Sequence, residues 1–283
     1  MTMQLSLMTI SMFIRIFYGF YMSRDMEDAK ELYEEMMGMT KAAGYDMVEV
    51  TSRETSLFGV EGVKAVLEQN GLSVGAYMFM DNLDMPREKV CDAVRAAKAF
   101  GADRLMMIPY WHASLEGKSA EEIHQIYADR WADAVQLALE EHIQPVVEDT
   151  PDQKLCLCKA EDLKHFLGLL PGMKLVYDSG NMILAGEDPV EYAKAMKDEI
   201  DYVHLKDMKV IPANRRGADI ALDGRGMTGT RHGEGLIALD KVVQTLKEQG
   251  YTGRWVVELS MDGSDSYPQA VAYARSKVME LLG

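Results

Sequence analysis

The chain alternates eight times between a short β-branched or Met-rich apolar run and an amphipathic helical stretch. The apolar runs fall at 5–11, 46–52, 72–80, 103–110, 143–150, 173–180, 202–208 and 254–260. Helical patterns follow them near 26–43, 57–70, 86–100, 119–142, 160–168, 188–198, 238–248 and 268–282. A strand joined to the next through a helix of this length pairs in parallel by a right-handed crossover. Eight such units in 283 residues match the size of a closed (β/α)8 barrel. Gly44, Gly71, Gly101 and Gly250 each stand just ahead of a new run, where a helix calls for a left-handed C-cap. No linker or low-complexity stretch divides the pattern, so one α/β domain is expected over residues 1–283.

Composition narrows the class of partner. With 48% hydrophobic and 27% charged residues the chain can bury a large core, which excludes global disorder. A net charge of −15 repels polyphosphate and anionic bilayers alike, so neither nucleic acid nor membrane is expected as a partner. The three cysteines are an odd number, and Cys156-x-Cys158 is spaced too tightly for a zinc knuckle or redox motif. A reducing, cytoplasmic setting is the expectation. Residues 4–22 carry only Arg15 as a charge and approach the length of a membrane span. Ser6, Thr9, Ser11 and Gly19 dilute that run, and Arg15 would sit mid-span at a cost of about 2.5–3.5 kcal/mol. A buried first strand running into an aromatic loop is expected instead.

In a barrel of this kind the chemistry lies where strands end, at the carboxyl face. The last four runs finish with side chains able to hold a metal: Glu148, Asp178, His204 and Glu258. Each lies two residues past an apolar residue of the same strand parity, namely Val146, Val176, Tyr202 and Val256. If those four fill the barrel interior, the polar four form the layer above and converge. Any one of the acids alone would read as a helix cap or a lysine partner. Three carboxylates beside one imidazole repel each other unless a cation neutralises them. With no thiolate in the set, one divalent ion of the Mn²⁺ or Mg²⁺ type is expected, Mn²⁺ foremost, with Co²⁺ and Zn²⁺ open. Four protein ligands leave two octahedral positions for vicinal substrate oxygens, an arrangement that stabilises an enediolate.

At these residues the chain resembles the sugar phosphate isomerase/epimerase family of xylose isomerase-like barrels, which includes ketose 3-epimerases, hydroxypyruvate isomerases and inosose-processing enzymes. The motifs are VVEDT, YDSGNM, YVHLKDM, HGEGLIALD and WVVELS, running from Glu148 to Glu258. The resemblance implies that Glu148, Asp178, His204 and Glu258 hold the metal and that Glu148 and Glu258 double as the acid/base pair. Asn181 departs from variants with His at that position; it can hydrogen-bond a substrate hydroxyl but is a poor metal ligand. The apurinic endonucleases look similar in fold, but they use several further histidines, and this chain has only six in all.

The expected activity is a divalent-metal-dependent isomerisation or epimerisation of a small sugar or sugar phosphate through an enediolate. The alternatives are a lyase on the same site and a non-catalytic sugar-binding or partner-binding barrel subunit, with a homo-oligomer also open. Lys206 shares the parity of His204 and is expected to bind substrate, or else to pair with Asp207 or Glu234. Glu49 is expected to reach a sugar hydroxyl or pair with Arg53. Trp111 and His112 are expected to form an apolar wall and a polar tip over a sugar ring. The stretch from 207 to 235 exceeds a usual βα connection and reads as a glycine-rich lid carrying Arg225, Arg231 and His232 toward substrate. No glycine-rich dinucleotide fingerprint follows the first strand, so no nicotinamide cofactor is expected.

Overall fold

The computed structural model describes residues 5–9, 26–260 and 265–283. Its parallel strands β1 (Leu5–Met8), β2 (Met47–Thr51), β3 (Ser73–Asp81), β4 (Arg104–Pro109), β5 (Gln144–Glu148), β6 (Lys174–Asp178), β7 (Ile200–Leu205) and β11 (Arg254–Glu258) close into a barrel. Their order around it is β1-β11-β7-β6-β5-β4-β3-β2. Helices α1 (Met26–Ala42), α2 (Ser52–Gln69), α3 (Glu88–Phe100), α4 (Ala120–Glu140), α5 (Ala160–Leu169), α6 (Pro189–Ala195), α7 (Leu239–Glu248) and α8 (Tyr267–Leu282) follow these strands in turn. The expected eightfold barrel is therefore present. Its helix-ending glycines have the left-handed backbone their positions demand, Gly101 at φ 67° and Gly250 at φ 81°.

Inside the barrel, Val146, Val176, Tyr202 and Val256 pack with Met8, Ala76, Met78 and Met106. The larger core fills the space between strands and helices, around Trp131, Tyr33, Tyr177 and Phe166. The apolar interior layer fixes which parity faces inward, so the next inward residues up each strand form the floor of the mouth.

Two boundaries differ from the sequence reading. Helix α2 begins directly at Ser52, ahead of the helix expected from about 57, and breaks its regular geometry at Gly59 (φ 69°). Residues 207–235 are not an open lid. They hold an antiparallel sheet of β8 (Asp207–Ile211), β9 (Asp219–Ile220) and β10 (Gly226–Thr230) in the order β8-β10-β9. Met208, Ala221 and Met227 from this insert pack on Leu184 as a small separate core. These apolar positions are spread too thinly along the insert to give a period-2 signal. The aromatic loop expected after the first strand lies outside the described residues. None of the described helices is long and apolar enough to cross a membrane.

The first turn of α2 carries a buried acid. Glu54 Oε2 accepts the Thr51 N–H at 2.5 Å and the Thr9 hydroxyl at 3.0 Å, and burial pushes its carboxyl up from 4.5 to about 7. The folded state thus holds this proton more tightly than the unfolded chain. The associated stability is complete below the unfolded value and is lost as pH rises through about 7. Glu54→Gln removes the ionisation while keeping an acceptor oxygen. Relative to the parent, its unfolding free energy is expected to improve by roughly 3 kcal/mol between pH 4.5 and pH 8. Urea titrations at both pH values check this, and a constant difference would refute it.

Candidate metal centre at the barrel mouth

Glu148, Asp178, His204 and Glu258 stand at the carboxyl ends of β5, β6, β7 and β11, on the inward parity set by the valine and tyrosine layer below. One ligand atom from each lies within 4.8 Å of the other three. Asp178 and His204 are fully buried in the floor. Glu148 and Glu258 also line the cleft above, a cavity of about 240 Å³ walled by Tyr110, Trp111, Pro151, Leu155, Asn181 and Lys206 among the described residues.

Local backbone fixes each group. Asp178 Oδ1 accepts the N–H groups of Gly180 and Asn181 at 2.7 and 2.9 Å, leaving Oδ2 without a hydrogen-bond partner. Gly180 leaves room here for two side chains, since a Cβ would stand 2.8 Å from Met208 Cγ and 3.1 Å from Lys206 Cδ and would force them to shift. Past that gap Lys206 Nζ reaches Glu258 Oε1 at 2.6 Å and Asn181 Oδ1 at 3.0 Å. Glu258 Oε2 also lacks a hydrogen-bond partner. His204 Nδ1 lies 2.5 Å from Glu148 Oε1 and 3.8 Å from Glu258 Oε2.

The charges are out of balance. Burial, with Glu258 and Glu148 adding to it against Lys206, drives the Asp178 carboxyl well above the usual range. Burial likewise raises Glu148 against the pull of His204. Glu258 is the exception: burial opposes its charge, but the Lys206 ammonium, the facing Asp178 carboxyl and His204 outweigh that and hold it at about 2. Burial also works against a charged His204, yet Glu49 and Glu148 keep its imidazole well above its usual value. Buried carboxylate oxygens without donors, in a set of three acids and one imidazole, fit a hard divalent cation, which would supply the missing positive charge.

The structure places the remaining sequence-predicted residues unevenly. Lys206, Asn181 and Trp111 line the cleft. Lys206 pairs with Glu258, not with the expected Asp207 or Glu234. Glu49 is not at a substrate-facing surface: it is fully buried and its Oε2 meets His204 Nε2 at 2.8 Å, while Arg53 bonds the Tyr110 hydroxyl. His112 does not line the described cleft. It caps a short helical turn through Ser114 and pairs with Asp84 at 3.0 Å, because the chain turns away after Trp111. Arg231 is held by Asp265 through Nε at 2.7 Å, Arg225 by Asp223, and His232 is buried against the Leu205 carbonyl, so the insert presents none of the three to the described cleft.

Two acids to which the sequence reading gave no site role, Asp149 and Asp207, hold the mouth in shape. Asp149 Oδ1 accepts the Asp178 N–H at 2.8 Å, and its backbone carbonyl accepts Asn181 Nδ2 at 2.7 Å. Asp207 accepts backbone N–H groups of Met208, Gly233, Gly235 and Ile237 at 2.8–3.1 Å. Each follows a mouth residue of opposite parity, as in the Glu-Asp pair of VVED and the Lys-Asp pair of HLKD. That pairing of an inward group with an outward acid was a readable signal.

A closed barrel with three acids and a histidine at its mouth defines a class, and the sequence profile of the xylose isomerase-like TIM barrel family matches residues 38–277. The chain belongs to that family. It is 29% identical over 112 residues to an inosose dehydratase of Lacticaseibacillus casei, a match spanning 38% of this chain and 37% of that enzyme. The chain thus spans little more than a third of that relative's length. Among solved structures it superposes on a xylose isomerase-like barrel of Mycobacterium smegmatis in complex with magnesium, with a TM-score of 0.69, 16% identity and 89% of each chain covered. It also superposes on a D-allulose 3-epimerase of Methylomonas sp., with a TM-score of 0.70, 13% identity, and 99% of this chain and 98% of that one covered.

Proposed function

We propose that the protein is a divalent-metal-dependent isomerase or epimerase of a keto sugar, held at Glu148, Asp178, His204 and Glu258 and working by proton transfer at a carbon beside the carbonyl. The observation that carries this reading is the division of labour among the four. Asp178 and His204 are buried in the floor, whereas Glu148 and Glu258 also form part of the cleft wall where a substrate carbon would lie. Mn²⁺ or Mg²⁺ suits the donor set best, and the magnesium complex of the Mycobacterium smegmatis barrel is in keeping with it. Bound there, the cation would withdraw electron density from the substrate's carbonyl and neighbouring hydroxyl oxygens and so acidify the intervening C–H.

The chain's own groups then divide the proton work. Glu258 is ionised and takes the proton from carbon, while the electron pair moves into the enediolate. Glu148, the other acid on the cleft wall, is the group assigned to return a proton to carbon. Lys206 and Asn181 orient substrate hydroxyls, and Trp111 offers an apolar face to the ring. Lys206 is the only cationic side chain among the described residues lining the cleft, and it is already matched by Glu258. That balance favours an uncharged sugar over a sugar phosphate.

The dehydratase relatives support a second reading, in which the same carbanion expels a β-hydroxyl as water. Both readings predict hydrogen exchange at carbon. Incubating Mn²⁺-loaded protein with a panel of keto sugars and inososes in D₂O is expected to incorporate deuterium into at least one uncharged sugar, and chelation is expected to abolish it. Loss of water in the product would select the dehydratase. No exchange with any member of the panel would overturn the proton-transfer reading.

A further inference from the structure

Glu49 occupies an unusual place for a charged side chain. It sits on β2, separated from β7 by β1 and β11 in the barrel order, yet it crosses the interior to reach His204. Both residues have no exposed surface, and Glu49 does not line the cleft. The two imidazole nitrogens face different groups. Nδ1 is turned to the ligand cluster, 2.5 Å from Glu148 Oε1, while Nε2 lies 2.8 Å from Glu49 Oε2. Each nitrogen thus has a carboxylate to donate to; a cation held by the cluster would take the place of the Nδ1 proton, whereas Nε2, facing Glu49 alone, keeps its own.

We infer that Glu49 is a positioning residue: it holds the His204 ring with Nε2–H donated to its carboxylate and thereby presents Nδ1 to a divalent cation. A carboxylate behind a ligating histidine fixes the tautomer and ring angle and raises the basicity of the ligating nitrogen. The histidine is the partner of Glu49 Oε2, while Oε1 has no hydrogen-bond partner. The phenol of Tyr202 lies beside it on the same strand as His204, and the Glu49 charge adds to the burial that raises that phenol's pKa.

This inference rests on the metal-site reading above, and two measurements on the full-length protein test them separately. Titration calorimetry with Mn²⁺ compares the parent with Glu49→Ala and Glu49→Gln. The alanine variant is expected to bind 10–100-fold more weakly. Glutamine keeps the volume and an acceptor oxygen, so it is expected to recover part of that loss, and it keeps the test open should alanine fail to fold. Long-range ¹H–¹⁵N spectra of histidine-labelled, Zn²⁺-loaded protein are expected to show His204 protonated at Nε2 and metal-shifted at Nδ1. Parent-like affinity in both variants, or a His204 bound through Nε2, would overturn the role of Glu49 while leaving the metal site standing. A parent protein that binds no divalent cation would overturn both.

Discussion

Glu258→Gln is expected to slow carbon-bound hydrogen exchange by about 10² to 10⁴-fold at saturating metal, the usual cost of removing a general base. The amide keeps the size of the side chain and an oxygen that can still face a cation, but it cannot take up a proton at neutral pH. It also dissolves the 2.6 Å ion pair with Lys206, leaving that ammonium buried beside a neutral group. Some loss of metal affinity should accompany the substitution, which is why the exchange rate is read at a metal concentration that saturates the variant. Glu148→Gln provides the comparison. If the two acids serve opposite faces of the substrate carbon, turnover falls in both variants, and exchange at one face survives in only one of them. Full activity of Glu258→Gln at saturating metal would make this carboxylate a ligand alone and remove the two-base scheme.

Occupancy of the site should be visible in stability as well. Mn²⁺ at a thousandfold excess over its Kd is expected to stabilise the folded state by about 4 kcal/mol. For a chain of this size that corresponds to a rise in Tm of about 8 °C. Asp178→Ala is expected to abolish most of the rise, since it removes a fully buried ligand oxygen that no hydrogen bond otherwise occupies. The pH dependence has a definite sign. Asp178 and Glu148 without a cation hold their protons above the usual carboxylate range, so protons compete with the metal. The metal-induced rise in Tm should therefore grow as pH increases and shrink as it falls. Scanning calorimetry of parent and variant, with and without Mn²⁺, reads all of this, and an unchanged Tm in the parent would remove the metal centre.

The barrel was legible because its signal is redundant: eight repeats of one pattern tolerate errors at any single boundary, such as the early start of α2 at Ser52. The convergence of Glu148, Asp178, His204 and Glu258 was legible for a different reason. Strand parity is local, and an apolar residue two positions earlier states which way the side chain points. Parity does not say what stands across the barrel. Glu49 was correctly placed near a strand end, but its partner on β7 lies 155 residues away, and no local pattern links the two. Arg231 and His232 failed on the same ground. Glycines on either side suggested a moving loop, whereas Asp207, Asp265 and the Leu205 carbonyl hold the segment in place.

The insert that carries β8, β9 and β10 is fastened as a separable unit at the rim of the barrel. It enters from β7 at Asp207 and is closed off at Ile237 by the same aspartate, so both ends are tied to one side chain. Its outer edge, at Ala218, Asp219 and Ile220, borders a basin shared with Pro151 and Asp152, two residues that also wall the main cleft. None of the four mouth ligands belongs to it. Substitutions along that outer edge would change the groups beside the entrance while leaving the four mouth residues themselves in place. A graft cut at Asp207 and Ile237 would exchange this rim as a unit, because the aspartate fastens both of its ends.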